Sequence, residues 1–316
     1  METTVVTGGT GFVGSAVVKK LLSTGKHRVH VLTRGQIVSW RLEPFINQIK
    51  LYFDCNLLNF EKLKKVLLTI QPDNIIHCAT YGGSPYQLDE NKILQSNLFG
   101  IVNLLNIIND LDIKCFINTG SSSEYGIKDS TMLETDVCNP SGTYGISKLS
   151  STLLCNLKAK EYGKNIGTLR LFSPYGETED PHRLFSTILT GMLKNKSKIN
   201  LANPYAVRDF IFIDDVTNAY LDVLKNPEKF KGMIFNICSG KQTFVKDVAD
   251  KMCELIPSFT GKLVYHAISG RNQDTQFWKG SNQSFMDTYG WSSAHDLKSG
   301  IEKTLEWYKK NLFLHT

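Results

Sequence analysis

A tyrosine and a lysine four residues apart, Tyr144 and Lys148, are the residues of this sequence best suited to move a proton. Positions i and i+4 lie on one face of a helix, so the two side chains would project together. A phenol is a weak acid at neutral pH, and a neighbouring ammonium group stabilises its phenolate form. Such a pair could donate a proton to a carbonyl oxygen or remove one from an alcohol. By itself, the spacing is also common in ordinary surface packing.

Two further features give this pair its meaning. Three consecutive serines, Ser121 to Ser123, precede it and could orient a substrate oxygen. A glycine-rich turn at residues 7–14 follows a strand-like run and opens a helix-like one. Glycine lets backbone N–H groups approach a pyrophosphate, and the helix N-terminus stabilises that anion. Together these features predict a nicotinamide-dependent enzyme acting on a carbonyl or an alcohol. The turn residues expected to contact the coenzyme are Gly8, Thr10, Gly11, Phe12, Val13 and Gly14.

The end of the second strand-like run bears on the identity of the dinucleotide. An acidic residue there would hydrogen-bond the ribose 2′-OH and select NAD. The sequence instead has Thr33 and Arg34, and an arginine could pair with a 2′-phosphate through charge-assisted bonds. NADP(H) is therefore favoured, NAD(H) is the alternative, and a solvated surface arginine is the competing interpretation.

The composition is that of an ordinary globular protein. The chain has 316 residues, of which 41% are apolar and 21% charged, enough for one large domain or two modest ones. The net charge of +6 is spread without blocks of like charge, which argues against a nucleic-acid partner. There is no leader-like start, no apolar run of transmembrane length, no CxxC pair and no metal-ligand spacing. We expect a cytoplasmic protein with reduced cysteines, no metal and no membrane association.

Strand-like and helix-like runs alternate through the first half of the chain. This alternation predicts an α/β fold with a doubly wound parallel sheet of the Rossmann type. Beyond residue 174, loops rich in Pro, Asp and Asn predict a smaller C-terminal α+β lobe that binds the substrate. Residues 208–215 are so strand-like that they should return to the large domain. The strand-like runs are residues 3–7, 28–33, 50–54, 74–79, 114–120 and 166–173, and the helix-like runs 60–69, 90–109 and 143–162.

The expected domain boundaries follow from the end of the regular strand–helix alternation near residue 174. Residues 1–173 and 208–239 are assigned to the dinucleotide-binding domain. Residues 174–207 and 240–316 are assigned to the lobe that binds the substrate.

The glycine turn, the serine run and the Tyr–Lys pair together resemble the extended short-chain dehydrogenase/reductase superfamily. More narrowly, the chain is similar to its nucleotide-sugar epimerase, dehydratase and reductase group over nearly the whole length. The resemblance implies that Tyr144 donates the proton, Lys148 stabilises its phenolate, and Ser121 orients the reacting sugar oxygen. It further implies a nucleoside-diphosphate sugar as the ligand and a homodimer formed through two helices of each subunit.

The resemblance also implies several binding contacts. Asp54 would touch the adenine, Ala79 would line the nicotinamide half of the pocket, and Lys148 would bind the nicotinamide ribose. Asn97 would support the active-site helix beside the coenzyme. A turn or cap role for Asp54 and Asn97, and surface ion pairs for the arginines, remain alternative interpretations. The expected substrate contacts are Ser122, Ser123, Ser173, Arg208 and Arg271.

Positions at which this chain differs from the group's motifs reduce the number of reactions that it could catalyse. The 4,6-dehydratases have an Asp and a Glu where this chain has Ser122 and Ser123, and hydroxyls cannot act as that acid–base couple. Glu124 follows, and strand alternation should turn it from the side that Ser123 faces. GDP-fucose synthase-type enzymes have a Cys at the position of Ser123 and a His where this chain has Glu177 and Thr178. Dehydration and combined epimerase–reductase chemistry are both disfavoured.

Two reactions then remain for an enzyme. The favoured one is NADP(H)-dependent reduction of the C4 keto group of a nucleoside-diphosphate 4-keto-6-deoxyhexose, in the synthesis of surface-polysaccharide precursors. Arg34 and the similarity of the serine run to the CDP-abequose and CDP-paratose synthase type support it. The alternative is a nucleotide-sugar 4-epimerase that retains NAD. A non-catalytic dinucleotide-binding protein is less favoured, because Tyr144, Lys148 and Ser121 are all present.

Overall fold

A computed structural model of the protein describes residues 1–84, 86–267 and 276–315. The strands in this part of the chain are β1 (Glu2–Thr7), β2 (His27–Leu32), β3 (Ile49–Tyr52), β4 (Asn74–His77), β5 (Cys115–Ser121), β6 (Ile166–Leu171), β7 (Ser173–Tyr175), β8 (Lys198–Asn200), β9 (Val207–Arg208), β10 (Phe210–Phe212), β11 (Ile234–Ile237), β12 (Thr243–Phe244) and β13 (Lys262–Val264). The α-helices are α1 (Phe12–Ser23), α2 (Phe60–Ile70), α3 (Glu90–Leu94), α4 (Gly100–Ile108), α5 (Thr143–Tyr162), α6 (Leu184–Leu193), α7 (Ile213–Lys225), α8 (Val245–Leu255), α9 (Gln283–Tyr289) and α10 (Leu297–Asn311).

Seven parallel strands form the central sheet in the order β11-β6-β5-β4-β1-β2-β3. The order reverses direction at β1, so the sheet is doubly wound, and the predicted Rossmann-type fold is confirmed. Thr7 at the end of β1 lies opposite Leu32 of β2 and His77 of β4. The carboxyl ends of these strands therefore meet at one edge, which is where ligands bind in open sheets of this kind.

Helices on both faces of the sheet bury its central strands β1, β4 and β6 almost completely. On one face, α1 buries Val17, Val18 and Leu21 and packs against α7. On the other face, α2 and α4 contribute Leu63 and Leu104 to a separate apolar layer. Burial on both faces is typical of a parallel sheet in an α/β fold.

The long helix predicted for residues 90–109 is interrupted. Between α3 and α4 the chain forms a π-helix, Gln95–Phe99, with an i→i+5 hydrogen-bond pattern. This interruption places Asn97 in a buried position, with 2% of its surface exposed. Interruptions of this kind are frequent at functional sites, because they redirect a polar side chain inward.

The strand predicted over residues 208–215 is shorter and does not enter the central sheet. β9 pairs with β12, β10 pairs with β7, and α7 already begins at Ile213. The break falls at Asp209, whose buried carboxylate accepts hydrogen bonds from Ser239 N, Gly240 N and Gly280 N. These bonds hold Asp209 between two short strands. Among the described residues after β6, only β11 joins the large sheet, and the division into two domains stays a prediction.

Candidate active site

A cavity of about 700 Å³ lies at the carboxyl edge of the central sheet. Its wall begins at the glycine turn, continues past Tyr144 and Lys148, and ends among lobe residues such as Asn200 and Asn203. One continuous cavity therefore joins the two regions for which the sequence predicts a dinucleotide and a nucleotide sugar.

The glycine turn brings three backbone segments into contact. Gly8 has a φ of +69°, and a Cβ there would collide with the backbone of Ala79. A Cβ at Gly14 would collide with the Gly8 carbonyl group. Gly11 caps α1 without a side-chain hydrogen bond, which leaves N–H groups of the first turn available to an anion. This cradle fits a pyrophosphate. The residues Gly8, Thr10, Gly11, Phe12, Val13, Gly14 and Ala79 all line the cavity.

The end of the cavity beside β2, where the sequence predicts the adenosine half of the dinucleotide, contains Thr33 and Arg34. The Thr33 hydroxyl accepts a hydrogen bond from Gly35 N, at 3.2 Å, and Arg34 is exposed. Asp54, for which an adenine contact was predicted, does not line the cavity. Its backbone is left-handed, with φ of 57°, and its exposed carboxylate lies 3.5 Å from Lys62 Nζ. The cavity wall is formed instead by the residues that follow it, Cys55, Asn56, Leu57 and Leu58.

Tyr144 and Lys148 lie in the first two turns of α5, and both line the cavity. Only 3% of the Lys148 surface is exposed, and no hydrogen bond or ion pair joins its ammonium group to another described residue. An unpaired buried cation is costly, so Lys148 is suited to a ligand that brings hydroxyl groups. Burial, together with the Lys148 charge, lowers the pKa of the neighbouring His77 to about 3.

Asn97 does not line the cavity but fixes the position of Tyr144. Its amide exchanges hydrogen bonds of 2.8 Å with both Tyr81 N and Tyr81 O. Its Nδ2 also donates to Ser147 Oγ at 2.9 Å, and Ser147 Oγ donates to Tyr144 O at 2.8 Å. The loop held in this way covers the phenol, because a Cβ at Gly83 would lie 3.9 Å from Tyr144 Oη. The support of the active-site helix that was predicted for Asn97 agrees with its bond to Ser147 of α5, whereas the predicted coenzyme contact does not agree with its position outside the cavity wall.

Ser121 ends β5 and lines the cavity. Its Oγ accepts a hydrogen bond from Ser123 N at 3.1 Å, and its backbone N donates to Glu124 Oε1 at 2.8 Å. Glu124 Oε2 lies 2.7 Å from Arg170 Nε, and both side chains are buried. The Ser121 hydroxyl hydrogen remains available for an oxygen in the cavity. Strand alternation is not what turns Glu124 away: residues Ser122–Glu124 form a 3-10 turn, and the ion pair holds the carboxylate inside.

The predicted substrate contacts are placed unevenly. Ser122, Ser123, Ser173 and Arg208 line the cavity, whereas Arg271 lies outside the described residues. Ser122 Oγ accepts a hydrogen bond of 3.2 Å from Trp278 Nε1. The Arg208 guanidinium lies 5.7 Å from the centre of the Trp278 ring.

Sequence reasoning missed several residues of the cavity wall. Trp278 carried no motif, and its place became evident only from the contact with Ser122, which is 156 residues away in the chain. His182, in the connection between β7 and α6, also lines the cavity. Other polar wall residues without a sequence signal are Asn56, Ser84, Gln87, Asp180, Arg183 and Asn203.

Residues 1–84, 86–267 and 276–315 contain neither a candidate metal site nor a candidate membrane-spanning helix. Within these ranges, no group of His, Cys, Asp and Glu side chains could hold a metal ion. None of the helices described there has the length and apolar character needed to cross a membrane.

Comparison with known proteins assigns the chain to a family. Residues 4–238 match the model of the NAD dependent epimerase/dehydratase family. The match spans most of the chain, so this protein belongs to that family of nucleotide-sugar enzymes.

Several relatives of this chain are named as 4-epimerases. The chain is 28% identical to a putative UDP-glucose 4-epimerase of Methanocaldococcus jannaschii, over 97% of this chain and 98% of that protein. It is 25% identical to a UDP-glucuronate 4-epimerase of Thermodesulfobacterium geofontis, over 98% and 97%. Among solved structures, UDP-glucose 4-epimerase of Thermotoga maritima with UDP-glucose has a TM-score of 0.87 and 25% identity, over 98% and 99%. UDP-glucuronic acid 4-epimerase of Bacillus cereus, with UDP-glucuronic acid and NAD, also has a TM-score of 0.87. That enzyme is 22% identical over 98% of this chain and 99% of its own, and supports the fold.

Proposed function

We propose that this protein is a 4-epimerase of a nucleoside-diphosphate sugar that retains NAD as its coenzyme. The observation that carries the proposal is the single cavity in which the glycine turn, the set Tyr144, Lys148 and Ser121, and the lobe residues meet. The named relatives favour this reaction over the 4-keto reduction that the sequence analysis favoured. Retained NAD would allow one active site to oxidise C4 and reduce it again.

Tyr144, Ser121 and Lys148 have separate roles in the inversion at C4. Bound NAD would supply the acceptor for the hydride of C4 and the donor that returns it. The Tyr144 phenolate removes the proton of the C4 hydroxyl as the C4–H bond breaks. It returns that proton to the C4 oxygen when hydride adds to the opposite face of the 4-keto sugar. Ser121 donates a hydrogen bond to the C4 oxygen throughout. Lys148 stabilises the phenolate and binds ribose hydroxyls. No net oxidation occurs.

Elimination of water is not part of the proposal. Ser122 and Ser123 occupy the positions at which a dehydratase would need carboxyl groups. Glu124 cannot replace them, because its carboxylate is bound to Arg170 and to the backbone of Ser121. The arrangement supports oxidation and reduction at C4 without loss of a hydroxyl group.

A panel of sugars tests the proposed reaction. Purified protein is incubated without added coenzyme with UDP-glucose, UDP-glucuronic acid and their CDP- and dTDP-linked counterparts, and products are identified by NMR. We expect at least one sugar to reach an equilibrium between its two C4 epimers. Absence of inversion with every member of the panel would contradict the proposal.

A second candidate is the NADP(H)-dependent 4-keto reductase. The observation that favours it is local: Arg34 lines the adenosine end of the cavity, and Thr33 stands where a carboxylate would bind the 2′-OH of NAD. Coenzyme released from denatured protein separates the candidates. Stoichiometric NAD supports the epimerase, whereas empty protein that oxidises NADPH with a 4-keto-6-deoxysugar supports the reductase.

Replacing the phenol tests the proton-transfer role. Tyr144→Phe should lower the rate of turnover by about 10²- to 10⁴-fold, because the ring stays in place but its hydroxyl is lost. Coenzyme content, measured after denaturation, should not change. Tyr162→Phe, at the other end of α5, is the matched control and should keep full activity. Unimpaired turnover in Tyr144→Phe would remove Tyr144 from the mechanism.

We also infer that the protein forms a homodimer. Ile146, Leu153 and Leu157 lie on one face of α5 and are 48%, 59% and 48% exposed. Phe99, at the end of the π-helix beside α4, is 55% exposed. Apolar side chains of this size, on two helices that pack together, are suited to burial against a second copy.

A further inference from the structure

Residues 177–182, here named the strap, connect the end of β7 with the start of α6. The strap residues Glu179, Asp180 and His182 line the cavity. Thr178 has a left-handed backbone, with φ of +61°. For a residue with a branched side chain this conformation is strained, so it persists only where other contacts hold it.

Arg41, in the connection between β2 and β3, provides such contacts. Its Nε donates a hydrogen bond to Thr178 O at 2.8 Å, and its Nη2 lies 2.7 Å from Asp180 Oδ1. Its Nη1 donates to Thr10 O, in the glycine turn, at 3.4 Å. Only 9% of the Arg41 side chain is exposed, and the guanidinium lies 4.6 Å from the centre of the Trp40 ring. One guanidinium therefore ties the strap to the backbone that would hold the pyrophosphate.

Two weaker contacts hold the strap at other points. Lys19 of α1 pairs with Glu177 at 2.6 Å, but its side chain is 55% exposed. On the opposite side, the ring of Tyr86 meets the ring of His182 edge to face, with centroids 4.8 Å apart. Ser84 and Gln87, in the same loop as Tyr86, line the cavity. The strap is thus attached to both walls of the cavity.

We propose that Arg41 and the strap form a clasp that closes over the bound coenzyme and makes its release slow. The proposal rests on the function proposed above, in which the same coenzyme gives back the hydride it has taken. Arg41 does not line the cavity, so it is a positioning residue that acts through Thr10, Thr178 and Asp180. Release of the coenzyme would require these bonds to open.

The burial of Arg41 indicates that its contacts are the strongest of the three. Hydrogen bonds from a buried charged group contribute more than an exposed ion pair such as that of Lys19, although the Asp180 carboxylate is itself 51% exposed. Loss of one charge-assisted bond from the closed state corresponds to about a tenfold faster release.

The test measures coenzyme release directly. The protein is loaded with NADH, excess NAD is added, and the loss of protein-bound NADH fluorescence gives the release rate. We expect Arg41→Ala to raise this rate at least about tenfold. Arg41→Lys should give an intermediate rate, because an ammonium group cannot bridge the three acceptors in the geometry of a guanidinium. Lys19→Ala, which removes the exposed partner of Glu177 in the strap, should change the rate less than about twofold.

A purely structural defect would have a different signature. Variants with faster release would then also have a lower thermal midpoint, and Arg41→Lys would not restore slow release. If Arg41→Ala does not fold, Asp180→Asn, which leaves Arg41 in place, should still raise the rate. Unchanged release in the folded Arg41 or Asp180 variants overturns the clasp while leaving the proposed function intact. Failure of the unchanged protein to bind any nicotinamide dinucleotide overturns both.

Discussion

Ser121 is positioned by a buried charge pair that does not line the cavity. Glu124 and Arg170 are 0% and 3% exposed at their side chains, and their nearest atoms are 2.7 Å apart. Although burial opposes the charged form, the Glu124 carboxylate raises the pKa of Arg170 above its ordinary value. The Arg170 guanidinium also lies 4.7 Å from the centre of the Tyr125 ring. The position of the Ser121 hydroxyl therefore depends on an ion pair in which each buried charge stabilises the other.

Removing one charge of this pair should be costly. Glu124→Gln keeps an oxygen for Ser121 N but leaves Arg170 buried without a counter-charge, and should lower the free energy of unfolding by about 3–5 kcal/mol. Chemical denaturation monitored by circular dichroism measures the loss. Glu161→Gln removes the exposed partner of Lys158 and should cost less than about 1 kcal/mol. Equal costs for the two variants would contradict this account of Ser121.

At the scale of elements, the adjacent ends of β1 and β4 share a hydrogen-bond relay. Ala79 N donates to Thr7 Oγ1 at 3.4 Å, and Thr7 Oγ1 lies 2.8 Å from His77 Nδ1. A neutral imidazole can accept the Thr7 proton at Nδ1, whereas the imidazolium form cannot. Burial, with the charge of Lys148 as the smaller cause, lowers the pKa of His77 to about 3. Burial at this position therefore requires His77 to be neutral in the folded chain above about pH 3.

This requirement gives a pH dependence of stability. The unfolded chain binds a proton at His77 below its ordinary pKa of about 6.5, but the folded chain does not until about pH 3. The free energy of unfolding should therefore fall as the pH falls through this range, with His77 contributing up to about 1.4 kcal/mol per pH unit. His77→Gln should reduce the slope between pH 6 and 4 by that amount in urea titrations. His266→Gln, at an exposed position, is the control; an unchanged slope in His77→Gln would refute the argument.

What the sequence could predict at this scale depended on local pattern. The strand–helix alternation, the glycine turn and the i,i+4 spacing of Tyr144 and Lys148 are short-range features, and they correctly predicted the doubly wound sheet. The π-helix at Asn97 was missed because its residues are ordinary helix formers. Arg41 was missed because its strap partner Thr178 lies 137 residues away in the chain. Trp278 was missed because its partner Ser122 lies 156 residues away. Only the fold brings such pairs together.

At the scale of the whole molecule, an exposed apolar face remains on α5 and the adjoining helices. Its residues Ile146, Leu153 and Leu157 recur at spacings of seven and four, which place them on one side of the helix. The same helix carries Tyr144 and Lys148 near its start. A second copy covering this face would therefore brace the helix that holds the catalytic pair.

A charge placed in this face should separate the subunits. Leu153→Glu combined with Leu157→Glu should convert the dimer into a monomer, because burying like charges without partners in an apolar interface is unfavourable. Size-exclusion chromatography with light scattering measures the mass. Leu68→Glu, which changes a 40% exposed leucine on α2, should leave the dimer intact. A monomeric unchanged protein, or a dimeric double variant, would contradict the proposed interface.

The transfer of hydrogen at C4 is the most direct test of the account. A sugar converted in the panel is prepared with deuterium at C4 and incubated with the purified protein without added coenzyme, and the product is analysed by NMR and mass spectrometry. The account predicts the C4 epimer with deuterium still at C4, because a retained coenzyme would return the hydrogen that it had taken. An epimer carrying ordinary hydrogen at C4, or turnover that depends on added NADPH, would contradict it.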